Sequence, residues 1–249
     1  MKWFRRDRAR RQAPVVPSSG AVPSSGAVPS SGAMPSGAVP LSGVDKCDEP
    51  PRHAPPLLTA GGPALQRIGG DGAEVVRLTT GTGPVILDIT HAGNGHFVVD
   101  ALDGRLHSQS QLVYTDGPFS CRALVNADDR PVRALRVQAD GPWTVDVSPL
   151  SSALPCEGHT RRPASDVLRH TGGPGVATLR YEGDPRADDG GYFLVDTFEP
   201  DGTGFLDELA NHVGPWHGEA PLTGPCLLYA RSDGPWSIVV RPLDPPGSP

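Results

Sequence analysis

Three sets of side chains in this chain have the types and spacing for chemistry. The densest carboxylate cluster is the turn Asp184-Pro185-Arg186-Ala187-Asp188-Asp189-Gly190-Gly191, in which Asp184, Asp188 and Asp189 fall within six residues. Hard oxygen donors this close could hold a calcium ion, but their order is not that of an EF-hand loop. The plainer reading is a solvated loop beside a tight Gly-Gly turn. His91 and His96 lie five residues apart, as do His212 and His217. Two imidazoles need further ligands to hold zinc, and neither pair has a third nearby, so these histidines read as surface residues. The third set is the start of the chain, where Lys2, Trp3, Phe4, Arg5, Arg6, Arg8, Arg10 and Arg11 crowd into twelve residues. At an anionic bilayer each cation contributes on the order of 1 kcal/mol, and the two aromatics reach the headgroup layer.

Other chemical signatures are missing. The sequence has no Gly-x-Ser-x-Gly elbow and no Walker or dinucleotide fingerprint; Gly81-Thr82-Gly83-Pro84 lacks the helix that a phosphate cradle requires. Cys47, Cys121, Cys156 and Cys226 show no Cys-x-x-Cys spacing and read as free thiols rather than as a disulfide framework or zinc site. A non-enzymatic protein without a cofactor is the expectation. A metal-dependent enzyme built on the Asp188 and Asp189 loop, with histidines brought in by folding, is one alternative.

The elements that must position these residues are strands. Asp140-Gly141-Pro142-Trp143-Thr144-Val145-Asp146-Val147 returns ninety-three residues later as Asp233-Gly234-Pro235-Trp236-Ser237-Ile238-Val239-Val240. Each copy sets a turn signal before a run that is apolar at every second position, the period of a half-buried strand. Gly95-His96-Phe97-Val98-Val99-Asp100 matches Gly191-Tyr192-Phe193-Leu194-Val195-Asp196, and Gly117-Pro118-Phe119 matches Gly214-Pro215-Trp216. Three blocks in the same order, displaced by 96, 97 and 93 residues, mark a duplication with small loop insertions. The paired aromatics Phe97 and Phe193, Phe119 and Trp216, and Trp143 and Trp236 read as core fillers aimed by Gly and Pro turns.

Short apolar runs at 73–78, 85–90, 96–101, 111–114, 132–139 and 143–147 predict five to seven strands in the first copy, with no helical period. The expected fold is all-β, with two tandem antiparallel β-sandwich or small barrel modules after a disordered N-terminal tail. The modules span 64–150 and 164–243, joined by a polar connector at 151–163 and followed by a tail at 244–249. Because the shared residues are scaffold, function is expected in what differs between the copies.

The paired pattern of Gly-x-Phe-Val-Val, Gly-Pro-aromatic and Asp-Gly-Pro-Trp resembles a β-sandwich module found singly or in tandem in uncharacterised actinobacterial proteins, some lipoprotein-like or membrane-linked. The resemblance covers about residues 65–243, implies the sandwich fold and carries no catalytic residues. Many such chains start with an export signal, and none is visible here. Only Lys2 and Lys46 among the 22 basic residues are lysine, which fits a GC-rich coding source.

Ahead of the modules, residues 13–63 are rich in proline, serine and glycine, with a six-residue unit marked by Pro17, Pro23, Pro29 and Pro35. Such a sequence cannot bury enough apolar surface to offset chain entropy and reads as a tether with a mean reach of roughly 40 Å. The charge is segregated. The net charge is −6, yet the first twelve residues carry six cations against Asp7, which leaves −11 on the remainder. An acidic body does not suit nucleic acid, whereas the basic head suits an anionic membrane surface. No apolar h-region follows the basic start, so the expected location is cytoplasmic and peripheral to the inner face of the membrane. The modules would bind an unknown protein or small ligand; the other alternative is a secreted or surface module that binds carbohydrate or protein.

Overall fold

Alternating apolar residues, β-branched runs and Asp-Gly or Gly-Pro turns leave this chain one way to bury its hydrophobic surface, as stacked sheets. The computed structural model describes residues 63–127 and 130–243. The chain divides into two units, of which Met1–Asp48 lies outside the described residues and Glu49–Pro249 holds the strands described below. Eight strands build the first sandwich: β1 (Gln66–Asp71), β2 (Glu74–Arg77), β3 (Val85–His91), β4 (His96–Leu102), β5 (Ser108–Asp116), β6 (Phe119–Val125), β7 (Ala134–Ala139) and β8 (Pro142–Ser148). Nine follow: β9 (Leu154–Pro155), β10 (His159–Arg162), β11 (Asp166–His170), β12 (Gly175–Tyr181), β13 (Tyr192–Phe198), β14 (Phe205–Val213), β15 (Trp216–Leu222), β16 (Cys226–Ser232) and β17 (Trp236–Pro242). Among the described residues a single 3-10 turn, at Leu150–Ser152, interrupts the strands.

The first sandwich pairs its strands in the orders β1-β8-β3-β6 and β2-β7-β4-β5. The second repeats both orders as β10-β17-β12-β15 and β14-β13-β16-β11, with the short β9 added in parallel beside β11. Eight strands in two sheets ordered this way form a jelly roll, so the protein is a tandem jelly roll of two sandwiches rather than of small barrels. The first core gathers Leu87, Ile89, Phe97, Val99, Leu135, Trp143 and Val145 from both sheets. The second gathers Leu168, Leu179, Phe193, Val195, Leu228, Trp236 and Ile238. Phe119 and Trp216 are only half-buried, at the rims.

Two expectations need correction. The first copy has eight strands, because β1 and β6 carry no clean alternation. Gln66-Arg67-Ile68-Gly69-Gly70-Asp71 is held by backbone pairing with β8 along its whole length, and β6 is buried on both faces. The polar connector at 151–163 is also structured. It contains β9 and β10, and β10 opens the second sandwich at the edge beside β17, where backbone pairing needs no apolar face.

The outward side of β3 and β6 meets the outward side of β11 and β16. Val167, Phe198, Leu227 and Tyr229 belong to the second sandwich in sequence, yet they join the first core cluster, and outward-facing Ile86 and Leu124 are buried. The Arg122 amide donates to Ser165 O across this seam at 2.9 Å. Each large apolar side chain buried there contributes about 1.5–3 kcal/mol.

Candidate functional site

The recurring Asp-Gly-Pro-Trp block staples loops together at one end of each sandwich. Asp140 accepts the His96 amide at 3.1 Å, and Asp233 accepts the Tyr192 amide at 2.7 Å, so the aspartate fixes the start of β4 or β13. The prolines contribute carbonyls: Pro142 O takes the Ala92 amide and Pro235 O the Glu182 amide, both at 2.9 Å. Trp143 Nε1 donates to Gly72 O at 3.0 Å and Trp236 Nε1 to Ala164 O at 2.8 Å, tying down the preceding loops. Glycine is required between Asp and Pro because a Cβ at Gly234 would sit 2.3 Å from Gly183 O and one at Gly141 would sit 2.8 Å from Gly93 Cα. The duplicated residues are thus occupied in holding the fold.

The acidic loop between β12 and β13 is engaged in its own turns. Asp184 Oδ1 accepts the Arg186 amide at 3.0 Å and its Nε at 3.2 Å, and Asp189 Oδ1 accepts the Gly191 amide at 3.0 Å. The loop folds over Tyr181, whose hydroxyl donates to Gly190 O at 3.0 Å. A Cβ on Gly191, at φ +75°, would lie 2.7 Å from that hydroxyl. Burial, then the charges of Asp233, Asp184 and Asp189, push the Tyr181 hydroxyl far above its ordinary range. Arg186 reaches the first sandwich at Asp116 O, 3.4 Å away. Among the described residues no three His, Cys, Asp or Glu side chains converge as metal ligands, so Asp184, Asp188 and Asp189 are not brought together with a histidine.

The histidines separate. His91, expected at the surface, is 3% exposed and stacks on Phe97 with ring centroids 4.5 Å apart. Its Nδ1 donates to Gly117 O at 3.0 Å, and its Nε2 is buried without a protein partner. The equivalent position in the second copy is Tyr181, stacked on Phe193 in the same way. His96 faces outward beside Asp116, and His212 stacks on Trp216 at 4.2 Å. His217 is exposed on the outer side of β15.

A groove of about 690 Å³ runs along that outer side, lined by Thr178, Arg180, Glu182, Pro215, Trp216 and His217. It adjoins a hollow of about 340 Å³ walled by Pro185, Pro215 and Pro235. The register sets Arg161 beside Ser237, Ser237 beside Arg180, and Arg180 beside His217, one row across four strands. The equivalent row in the first copy is Gly69, Thr144, Thr90 and Ser120. Sequence reading missed this row because its members are distant in the chain; the signal available was the change of residue type at matched strand positions.

The other missed cluster lies in the seam. Arg122 Nε donates to Asp88 at 2.7 Å, Nη1 to Asp166 at 3.4 Å, and Nη2 to Ser152 O at 2.7 Å and its Oγ at 3.0 Å. Ser148 donates to Asp88 Oδ2 at 2.7 Å, and Arg162 Nε lies 2.7 Å from Asp166. Burial raises the Asp166 carboxyl despite Arg122 and Arg162. Burial likewise pushes the Cys156 thiol up to about 12 and the Cys226 thiol to about 11, and raises Cys121 further. A protonated, enclosed thiol is a poor nucleophile.

The head residues Lys2, Trp3, Phe4, Arg5, Arg6, Arg8, Arg10 and Arg11 and the tether lie outside the described residues. Among the described residues no helix is long and apolar enough to cross a membrane. Neither the family models nor the curated proteins compared with this sequence match it.

Proposed function

We propose that this is a non-catalytic binding protein in which the first jelly roll serves as a platform and the second presents the ligand-facing groove. Residues 1–12 would bring this body to an anionic membrane surface on its cytoplasmic side, with residues 13–63 as the tether. One observation carries the binding reading: two sheets of matched strand order differ in use. The outer side of β3 and β6 is spent on the seam, whereas the corresponding side of β12 and β15 is open and grooved. The enclosed, proton-holding thiols are poor nucleophiles, which fits a protein without thiol catalysis. The membrane part rests on the head's six cations and two aromatics, and its attraction is screened by salt.

Fractionation of cells expressing the full chain, or the chain lacking residues 1–12, tests this reading. The full chain is expected with membranes at low salt and released at high salt, and the truncated chain in the soluble fraction throughout. Recovery of both forms in the soluble fraction at every salt concentration would remove the anchoring role. Recovery outside the cell would favour the exported carbohydrate- or protein-binding alternative.

A further inference from the structure

We propose that the open face of β10-β17-β12-β15 binds an oxyanion, the carboxylate or phosphate of a small organic ligand, through Arg180, His217 and the Ser237 hydroxyl. The ligand's apolar remainder would lie along Pro215 and the neighbouring Pro185 and Pro235. This rests on reading the second jelly roll as the binding module.

The register makes Ser237, Arg180 and His217 lateral neighbours, which places their Cβ atoms about 5 Å apart on one side of the sheet. The nearby carboxylates are engaged elsewhere. Glu182 takes Arg161 at 2.8 Å, and Glu219 takes both Arg241 and the Thr178 hydroxyl. Among the described residues, no hydrogen bond or ion pair is made by the Arg180 guanidinium or by the His217 ring. A planar guanidinium matches two oxygens of a carboxylate or phosphate at once, and the imidazole and hydroxyl beside it add donors from neighbouring strands.

The duplication isolates this row as a difference rather than an accident of composition. At the matched positions the first copy has Gly69, Thr144, Thr90 and Ser120, and the hydroxyls of Thr90 and Thr144 bond each other at 2.5 Å. Three positions there without a cation-capable side chain became Arg161, Arg180 and His217, against the acidic balance of the body. The flanks set the ligand's size and charge. Pro215 lines the groove on one side and, with Pro185 and Pro235, walls the adjoining hollow, a surface for an aromatic or aliphatic remainder. Glu182 and Glu219 border the row and repel any second or third negative charge, so a single oxyanion is accepted and an extended polyanion is not.

The test titrates the isotope-labelled full chain with phenyl phosphate, benzoate and the neutral benzyl alcohol, following backbone amides and the His217 ring by NMR. At least one anion is expected to shift His217, Arg180 and Ser237, and the stronger of the two tells phosphate from carboxylate. Arg180→Gln should weaken that binding at least tenfold, Arg180→Lys less, and both variants should keep the wild-type spectrum elsewhere. Anion binding unchanged in Arg180→Gln, or shifts confined to another surface, overturns the site. Equal binding of benzyl alcohol at the groove overturns the oxyanion chemistry and leaves the groove as a binding site. No response to any of the three probes removes the site and the binding reading of this groove together.

Discussion

The outer side of β3 and β6 and the outer side of β12 and β15 are the same place in two copies of one fold, and they have been put to opposite uses. In the first copy the middle of the face holds Arg122 bonded to Asp88, with Ser148 behind. In the second the matched positions hold Glu219, Thr178 and Arg241, again joined to one another but with the charges redistributed. Arg122 is fully enclosed, whereas the Glu219 side chain is 56% exposed and that of Arg241 62%. The difference teaches that a charged cross-strand network is tolerated on either kind of face, and that burial decides what it does. Under the seam, each lost partner leaves a charge without water. In the open, solvent replaces it, and the surrounding side chains remain available to a ligand.

The comparison breaks most sharply at Arg122. Arg122→Ala should lower stability by about 3–5 kcal/mol, because enclosed Asp88 loses its cation and keeps only the Ser148 hydroxyl, and Asp166 keeps only Arg162; urea unfolding measures it. A loss below 1 kcal/mol would mean that water enters the seam and that the two faces do not differ. Next come the staples common to both copies. Asp140→Ala and Asp233→Ala each remove a charged acceptor from a strand amide and should cost about 1.5–3 kcal/mol, by similar amounts if the copies are equivalent at that end.

Alkaline titration then separates the cores. Thiols that ordinarily ionise near 9 are held protonated to about 11 at Cys226 and about 12 at Cys156. Their folded-state values lie above the unfolded one, so their contribution is whole below pH 9 and is lost as pH rises through the folded values. The melting temperature should therefore hold level up to about pH 9 and fall beyond it. Replacing both cysteines by alanine should reduce that fall, leaving a residual slope from Cys121, Tyr181 and Tyr229, which burial shifts in the same direction. The smallest effect is expected at Glu219→Ala, below about 1 kcal/mol, since both partners are largely solvated. A measured ratio between Arg122→Ala and Glu219→Ala is the direct gauge of how far the two faces have diverged.

Much of the architecture was legible along the chain, and the limits of that legibility are physical. The runs at 85–90, 96–101 and 143–147 became β3, β4 and β8 within a residue or two, because short apolar and β-branched runs bounded by turn residues mark strands. β6 escaped notice because Ser120 and Arg122 interrupt its apolar run: Cys121 and Ala123 look into the core, while Arg122 and Leu124 are buried in the seam. His91 escaped for a similar reason. Its polar type suggested a surface turn, but stacking on Phe97 and a carbonyl acceptor at Gly117 let imidazole stand where the other copy has Tyr181. In the acidic loop the Asp184 and Asp189 carboxylates are occupied with local amides and with Arg186, contacts that the sequence does not show.

By itself the sequence determined that this body is all-β, duplicated, and closed by Asp-Gly-Pro-Trp staples, because strand period and turn chemistry act over a few residues. Only the tertiary structure decided that the copies are jelly rolls fused through unlike faces, that Arg122 is enclosed, and that Arg161, Ser237, Arg180 and His217 form one row. Those outcomes depend on which strands become neighbours and which second face is covered. Both are set by packing between residues tens of positions apart, where no local pattern reaches.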